Sequence, residues 1–223
     1  MTENVTLAQF LAAFCGAEVE PSPQAQEILQ LYLYDWAVCG LAGAGEQVSR
    51  ITRDLAQAEA GVPEATVIGA GDALPARVAA LVNGTTSHAL DYDDTHFAHI
   101  GHPSVAVVPA ALAVAQAQGR NMDEFRRAAL LGIEASIRAG VWLGRSHYQA
   151  GFHQTGTAGA IGATLASARL MGLAESDAAM AFGIIGTRAS GLKSQFGTMG
   201  KPYNAGIAAS NGVEAAALAG RGF

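Results

Sequence analysis

Asn83-Gly-Thr-Thr-Ser-His-Ala-Leu-Asp-Tyr-Asp-Asp-Thr-His96, continuing through His99-Ile-Gly-His-Pro-Ser104, is a polar break in a chain that otherwise reads as alanine-rich helix. Before it, Leu74 to Leu90 keeps a helical repeat, with Pro75 near the start, where its missing N–H costs nothing. After it, Ser104 to Gln118 is helical and is stopped by Gly119 and Asn121. The same periodicity extends outward in both directions. It predicts helices over Thr6 to Ala13, Gln24 to Ala42 and Val48 to Ala60 on one side. On the other it predicts Met122 to Leu143, Thr155 to Leu170, Ala174 to Ala189 and Asn204 to Ala219. Ala65-Thr-Val-Ile-Gly69 is short and β-branched and reads as an extended piece. Gly156, Gly159 and Gly162, with Ala205, Ala208 and Ala209, place small residues at helical spacing, so closely approaching helix axes are expected. No repeat or linker divides the sequence, and the expectation is one all-α domain over 1–223.

Of 223 residues, 50% are hydrophobic and only 14% charged, with a net charge of −6. A chain this poor in charge is expected to have much of its surface covered by another domain or subunit. It has no basic cluster of the kind that neutralises phosphates, which argues against nucleic-acid binding. No apolar run is long and clean enough for a membrane span; Leu130 to Leu143 is interrupted by Glu134 and Arg138. Met1-Thr-Glu-Asn-Val lacks the basic start and apolar stretch of a signal peptide. Cys15 and Cys39 have no metal-binding spacing and read as small core residues in a reducing cytoplasm. Asp35, flanked by Tyr34 and Trp36, reads as a satisfied polar residue at a helix interface.

The chemistry concentrates in the break. Three carboxylates (Asp91, Asp93, Asp94) and four histidines (His88, His96, His99, His102) fall between positions 88 and 102. Like charges this close repel, so their persistence points to a partner or a function. His88 and Asp91, three apart, would share a helix face, as would Asp91 and Thr95 if the helix ran on. Pro103 fits a new helix start, which places His102 at that helix's mouth, a position suited to anions. A carboxylate in hydrogen-bond reach makes an imidazole a better base. Two other readings stand beside this one: a solvated polar loop whose aspartates cap helices, and a metal site built on His96, His99 and His102. A second candidate is Gly151-Phe-His153-Gln-Thr-Gly-Thr157, a histidine before a helix whose first turn carries hydroxyls and glycines. A third is the glycine-punctuated loop from Gly191 to Lys201-Pro-Tyr203, with lysines at 193 and 201.

Three blocks in register carry a family resemblance. The first is NGTTSHALDYDDTH at 83–96 with HPSVAVVPAALA at 102–113. The second is GFHQTGTAGAIGATLASARLMGL at 151–173. The third runs from ASGL at 189–192 to GTMGKPYNAGIAASNGVEAAALA at 197–219. Together they resemble the MmgE/PrpD family, which includes 2-methylcitrate dehydratase and cis-aconitate decarboxylase. The resemblance covers nearly all of this chain but about the first half of a typical member. It implies an all-α first domain, a smaller α+β second domain that would follow residue 223, and a homodimer. It implies no metal or other cofactor and a small di- or tricarboxylate substrate. By position, Asp91, Thr95, His102, His153 and Lys201 stand where the family has active-site groups. On that basis His102 would transfer a proton, tuned by Asp91, while His153, Lys201 and Thr95 hold substrate carboxylates. Tyr203-Asn204 stands where many relatives carry Leu-His, a departure that bears on substrate choice. The expected activity is dehydration of a 2-methylcitrate-like hydroxy acid. Cis-aconitate-type decarboxylation, epimerisation of a small imino- or amino-dicarboxylate, and a non-catalytic oligomerising module are the alternatives.

Overall fold

A computed structural model describes residues 5–223; the expectation about a signal peptide falls partly on residues 1–4 and so lies outside the described residues. The elements are α1 (Leu7–Gly16), α2 (Pro23–Gly43), α3 (Gln47–Glu59), β1 (Ala65–Thr66), β2 (Ala73–Leu74), α4 (Ala76–Ser87), α5 (Ser104–Ala117), α6 (Met122–Gln149), α7 (Gln154–Met171), α8 (Glu175–Arg188) and α9 (Gly200–Ala219). The all-α expectation holds, with one two-residue antiparallel ladder pairing Ala65 with Leu74 and Thr66 with Ala73. No helix among the described residues is long and apolar enough to cross a membrane.

Local chemistry explains most helix ends. Thr6 and Asn121 each form a capping box, with Gln9 and Glu124 respectively, satisfying two backbone donors apiece. Gly172 closes α7 in the left-handed conformation (φ 68°), which glycine adopts without a Cβ penalty. Several boundaries differ from the sequence reading. Leu74 is taken by the ladder, so α4 starts at Ala76 instead, and it stops at Ser87 instead of Leu90. α9 begins at Gly200, four residues early, because Pro202 fits a first helical turn that needs no N–H from it. α6 extends beyond Leu143 to Gln149, across a break at Gly144 (φ 71°, ψ 179°).

The centre is built from α5, α7, α9 and α4. α7 lies against α6, α9 and α5, and α4 bridges α9 and α5. These helices are apolar or small on nearly every side, as expected for elements buried all round. Glycine sets the approach at the α4–α9 crossing: a Cβ on Gly84 would sit 2.9 Å from Gly206 Cα and 3.1 Å from the Val105 carbonyl oxygen. Gly132 and Gly162 play the same part between α6 and α7, where a Cβ on Gly132 would fall 2.8 Å from the Gly162 carbonyl. Cys15 and Cys39 are buried and free.

α2 has two apolar faces. Leu29, Trp36, Cys39, Gly40 and Gly43 face the core, while Ile28, Leu31, Tyr34, Val38 and Leu41 form an exposed stripe. Asp35 is satisfied as expected, its Oδ2 accepting the backbone N–H of Asp94 at 2.8 Å.

Two glycine substitutions separate close packing from backbone entropy. Gly84→Ala is expected to cost about 1–3 kcal/mol, because the α4–α9 crossing has no room for the methyl. Gly183→Ala, on the open face of α8 with nothing within 4 Å of the new atom, is expected to gain about 0.5–1 kcal/mol. Urea denaturation of both variants reads the difference in sign.

Candidate active site

The site starts where α4 ends. His88 caps that helix and is fully buried. Three residues on, Asp91 takes φ 59°, a left-handed conformation tolerated by short polar side chains. This reversal ends the helical register, so His88 and Asp91 do not share a helix face as their spacing suggests. His88 is instead paired with Asp93, whose two carboxylate oxygens lie 2.9 and 3.0 Å from His88 Nδ1. Asp93 also receives His102, with Nδ1 2.9 Å from Oδ2. One buried carboxylate is therefore clasped by two imidazoles. Their rings meet edge to face with centroids 4.6 Å apart, and His88 stacks on His153 at 5.9 Å.

Asp91 and Thr95 cannot share a helix face either, since no helix continues beyond Ser87. Residues 96–101 instead form a tight loop closed by the His96 N–H donating to Gly101 O at 2.9 Å. Ile100 in this loop has φ 58°, a strained conformation for a β-branched residue, and Phe97 projects from the loop almost fully exposed. His102 follows, two residues before α5. Its backbone N–H donates to Thr155 Oγ1 at 3.1 Å, tying the loop to the first turn of α7. Asp94 caps α5 from a distance: its carboxylate accepts the Ser104 N–H at 3.3 Å and the Ser104 hydroxyl. The loop-capping reading of the aspartates is thus correct for Asp94.

His153 precedes α7, its N–H donating to Gly191 O at 3.0 Å. Asn204 Nδ2 faces His153 Nδ1 at 3.2 Å, which makes Nδ1 the acceptor and leaves Nε2 to carry the proton. Lys201, in the first turn of α9, is ion-paired with Asp91. Asp91, Thr95, His102, His153 and Lys201 all line one cavity of about 470 Å³, walled also by Phe97, Ile100, Arg145, Tyr148 and Phe196. The Phe196 ring stands edge-on to His153, with centroids 4.9 Å apart.

The electrostatics divide these groups. Burial opposes ionisation of Asp93, but the flanking His88, with hydrogen bonds from His102 and His88, outweighs it and holds the carboxyl well below the usual range. Burial would lower the His102 pKa; the hydrogen bond to Asp93 and its charge outweigh that and raise it. Burial, then His88, Lys201 and His102, pushes His153 down to about 3, so it is a neutral imidazole. Burial, reinforced by Asp93 and Asp35 against the Ser104 hydrogen bonds, lifts Asp94 to about 7. With Nδ1 of His102 held by Asp93, its Nε2 faces Asp91 Oδ1 at 3.5 Å.

The metal alternative on His96, His99 and His102 does not converge. His99 is fully buried against Gly140, and His96 Nδ1 accepts the backbone N–H of His99 at 3.2 Å. Among the described residues one other set brings donor atoms within 4.8 Å of one another: His88, Asp91, Asp93 and His102. In that set Asp93 already accepts both Nδ1 atoms, and Lys201 occupies Asp91. The set therefore reads as a hydrogen-bonded proton network.

Spacing alone missed Asp93 as the partner of His102, because its pairing depends on the turn at Asp91. It also missed Arg145 and Phe196, which carry no local signal and reach the cavity only through tertiary packing.

Two kinds of comparison identify relatives of this chain. The chain matches the family model described as the MmgE/PrpD N-terminal domain over residues 5–223. It is 30% identical to the cis-aconitate decarboxylase-like protein oryM of Aspergillus oryzae, over 100% of this chain and 49% of the relative. It is 30% identical to cis-aconitate decarboxylase of Homo sapiens over 84% of this chain and 40% of the relative. It is 34% identical to that of Aspergillus terreus over 70% and 34%. The chain thus spans about half the length, or less, of these curated relatives.

The Asp94 environment sets a pH test. Below the ordinary aspartate pKa of 3.8 the group is neutral in folded and unfolded states alike. As pH rises towards about 7 the unfolded chain ionises first, and the stability gained from the neutral folded form is lost. Asp94→Asn keeps an acceptor for Ser104 and removes this loss. Its stability relative to wild type is expected to improve steadily between about pH 4 and pH 8, followed by denaturant titration across that range. His153 contributes equally to both proteins and cancels in the difference.

Proposed function

This chain belongs to the MmgE/PrpD family, and from that premise and the geometry of the cavity we propose that it carries the proton-transfer half of a lyase acting on a small di- or tricarboxylate. Cis-aconitate-type decarboxylation leads, because the curated relatives bear that name. Dehydration of a 2-methylcitrate-like hydroxy acid, expected first from the sequence, remains the second reading because the same acid serves to protonate a departing hydroxide. A homodimer in the cytoplasm belongs to this reading, and the exposed apolar stripe on α2 supports a covered face.

The observation that carries the proposal is the double tether of His102. Nδ1 is held by the buried Asp93, and Nε2 is turned towards Asp91 in the cavity. An imidazole with a raised pKa is a proton donor near neutrality. In decarboxylation, the bond from carbon to one carboxylate breaks and carbon dioxide leaves. The electron pair stays on carbon, spread into the neighbouring unsaturated system, and takes up the proton from Nε2. His102 then regains a proton from water. Lys201 supplies positive charge next to the reacting end, and His153, being neutral, contributes an N–H hydrogen bond from Nε2. Thr95 offers a hydroxyl on the same wall. Asp91 faces both His102 and Lys201 and orients them against each other.

His102→Gln is expected to lower turnover of cis-aconitate by about 10²-fold or more, the usual worth of a positioned acid, with the product followed by NMR in deuterated water. Wild-type turnover should fall as pH rises through the elevated His102 pKa, because the donor form is lost. Unchanged turnover in the variant contradicts the assignment. Loss of water from 2-methylcitrate with cis-aconitate left intact selects the dehydration reading, and solvent exchange at a small imino-dicarboxylate without either loss selects the epimerase.

A further inference from the structure

We infer that Arg145 is the binding site for a second, non-reacting carboxylate, and that it makes the cavity select tricarboxylates over dicarboxylates. The inference rests on the reading of the cavity as a polycarboxylate site and adds to it a residue that neither the spacing of the sequence nor the lyase chemistry requires.

The wall that carries Arg145 is shaped at Gly144. There α6 leaves helical geometry (φ 71°, ψ 179°) and then resumes for its last turn. Nothing lies within 4 Å of where a Cβ on Gly144 would sit, so glycine is needed there for the backbone turn and not for space. The break re-aims the final turn. Arg145 and Tyr148, three apart on that turn, both line the cavity that His102 and Lys201 also line. Tyr148 is held in place by Lys193, whose Nζ lies 3.7 Å from the ring centre and donates to the Tyr148 carbonyl at 3.1 Å.

A charge inventory then separates Arg145 from its neighbours. Lys201 shares its charge with Asp91, and His102 is paired with Asp93. Arg120, Arg127, Arg138, Arg169 and Arg188 each pair with a glutamate, and Arg50, Arg53, Arg77, Arg126 and Arg221 do not line this cavity. Arg145 has no carboxylate within 4.0 Å among the described residues. The cavity wall thus presents an unneutralised guanidinium. A guanidinium offers a planar fork that matches a carboxylate with two parallel hydrogen bonds. With one substrate carboxylate at Lys201 and the reacting centre at His102, a further carboxylate of a tricarboxylate meets Arg145, whereas a dicarboxylate leaves it empty.

Two unreactive probes differing by one carboxylate test this: propane-1,2,3-tricarboxylate and propane-1,3-dicarboxylate, titrated into the protein and followed by NMR shift changes. Wild type is expected to prefer the tricarboxylate. Arg145→Gln is expected to weaken the tricarboxylate by about tenfold or more, the worth of a charge-assisted contact, and to leave the dicarboxylate within about twofold. Arg145→Lys should restore part of the preference, since it keeps the charge without the fork. Arg145 is exposed, so both variants should melt with wild type. An unchanged ratio of the two affinities in Arg145→Gln overturns this inference alone. Failure of wild type to bind either probe overturns it together with the polycarboxylate reading of the cavity.

Discussion

A single carboxylate, that of Asp93, is taken completely out of water and placed between the Nδ1 atoms of His88 and His102. An isolated ionised carboxylate in that position would cost several kcal/mol, and it would neutralise itself by taking up a proton. Two imidazoles on its oxygens remove that cost, and Asp93 stays ionised as a result. The constraint works in the other direction too. His102 cannot rotate without abandoning a buried charge, so its second nitrogen is committed to the cavity. The orienting carboxylate, the imidazole and the open face beyond it are arranged like the base–orienter pairs of known active sites.

Everything around this clasp serves to hold it. The glycine contact between α4 and α9 brings the end of α4, and so His88, next to the start of α9, where Lys201 sits. Thr155 anchors the backbone of His102 to α7, and Gly191 anchors that of His153, so three separate segments are locked to one another at the cavity. Asp35 on α2 and Ser104 on α5 fix the intervening loop through Asp94. Ile100 keeps its left-handed backbone in a loop that these attachments hold in place.

The helices were legible because alanine-rich segments with regular apolar spacing have few other ways to bury themselves. Asp91 and His102 were legible because ionisable groups are scarce here and concentrate between 88 and 102; His153 and Lys201 stood out in glycine-rich stretches, and Thr95 only through the family resemblance. What the spacing did not reveal was which aspartate meets which histidine. The i, i+3 argument paired His88 with Asp91, but the left-handed turn at Asp91 ends the helical register and hands that place to Asp93. On α2 periodicity does not tell the two faces apart: Ile28, Leu31 and Tyr34 keep a helical repeat on the exposed side, while Leu29 and Trp36 take the core. Arg145 was invisible because its relation to the cavity depends on a backbone break at Gly144 that periodicity does not encode.

The clasp itself is measurable through nitrogen NMR of the His102 ring. In the wild-type protein His102 should titrate above the ordinary 6.5 and, once neutral, keep its proton on Nδ1 against Asp93. Replacing that carboxylate in Asp93→Asn should bring the titration down and loosen the tautomer preference. If His102 titrates identically in both proteins, or carries its neutral-form proton on Nε2 in the wild type, Asp93 does not orient it and the account of this site is wrong.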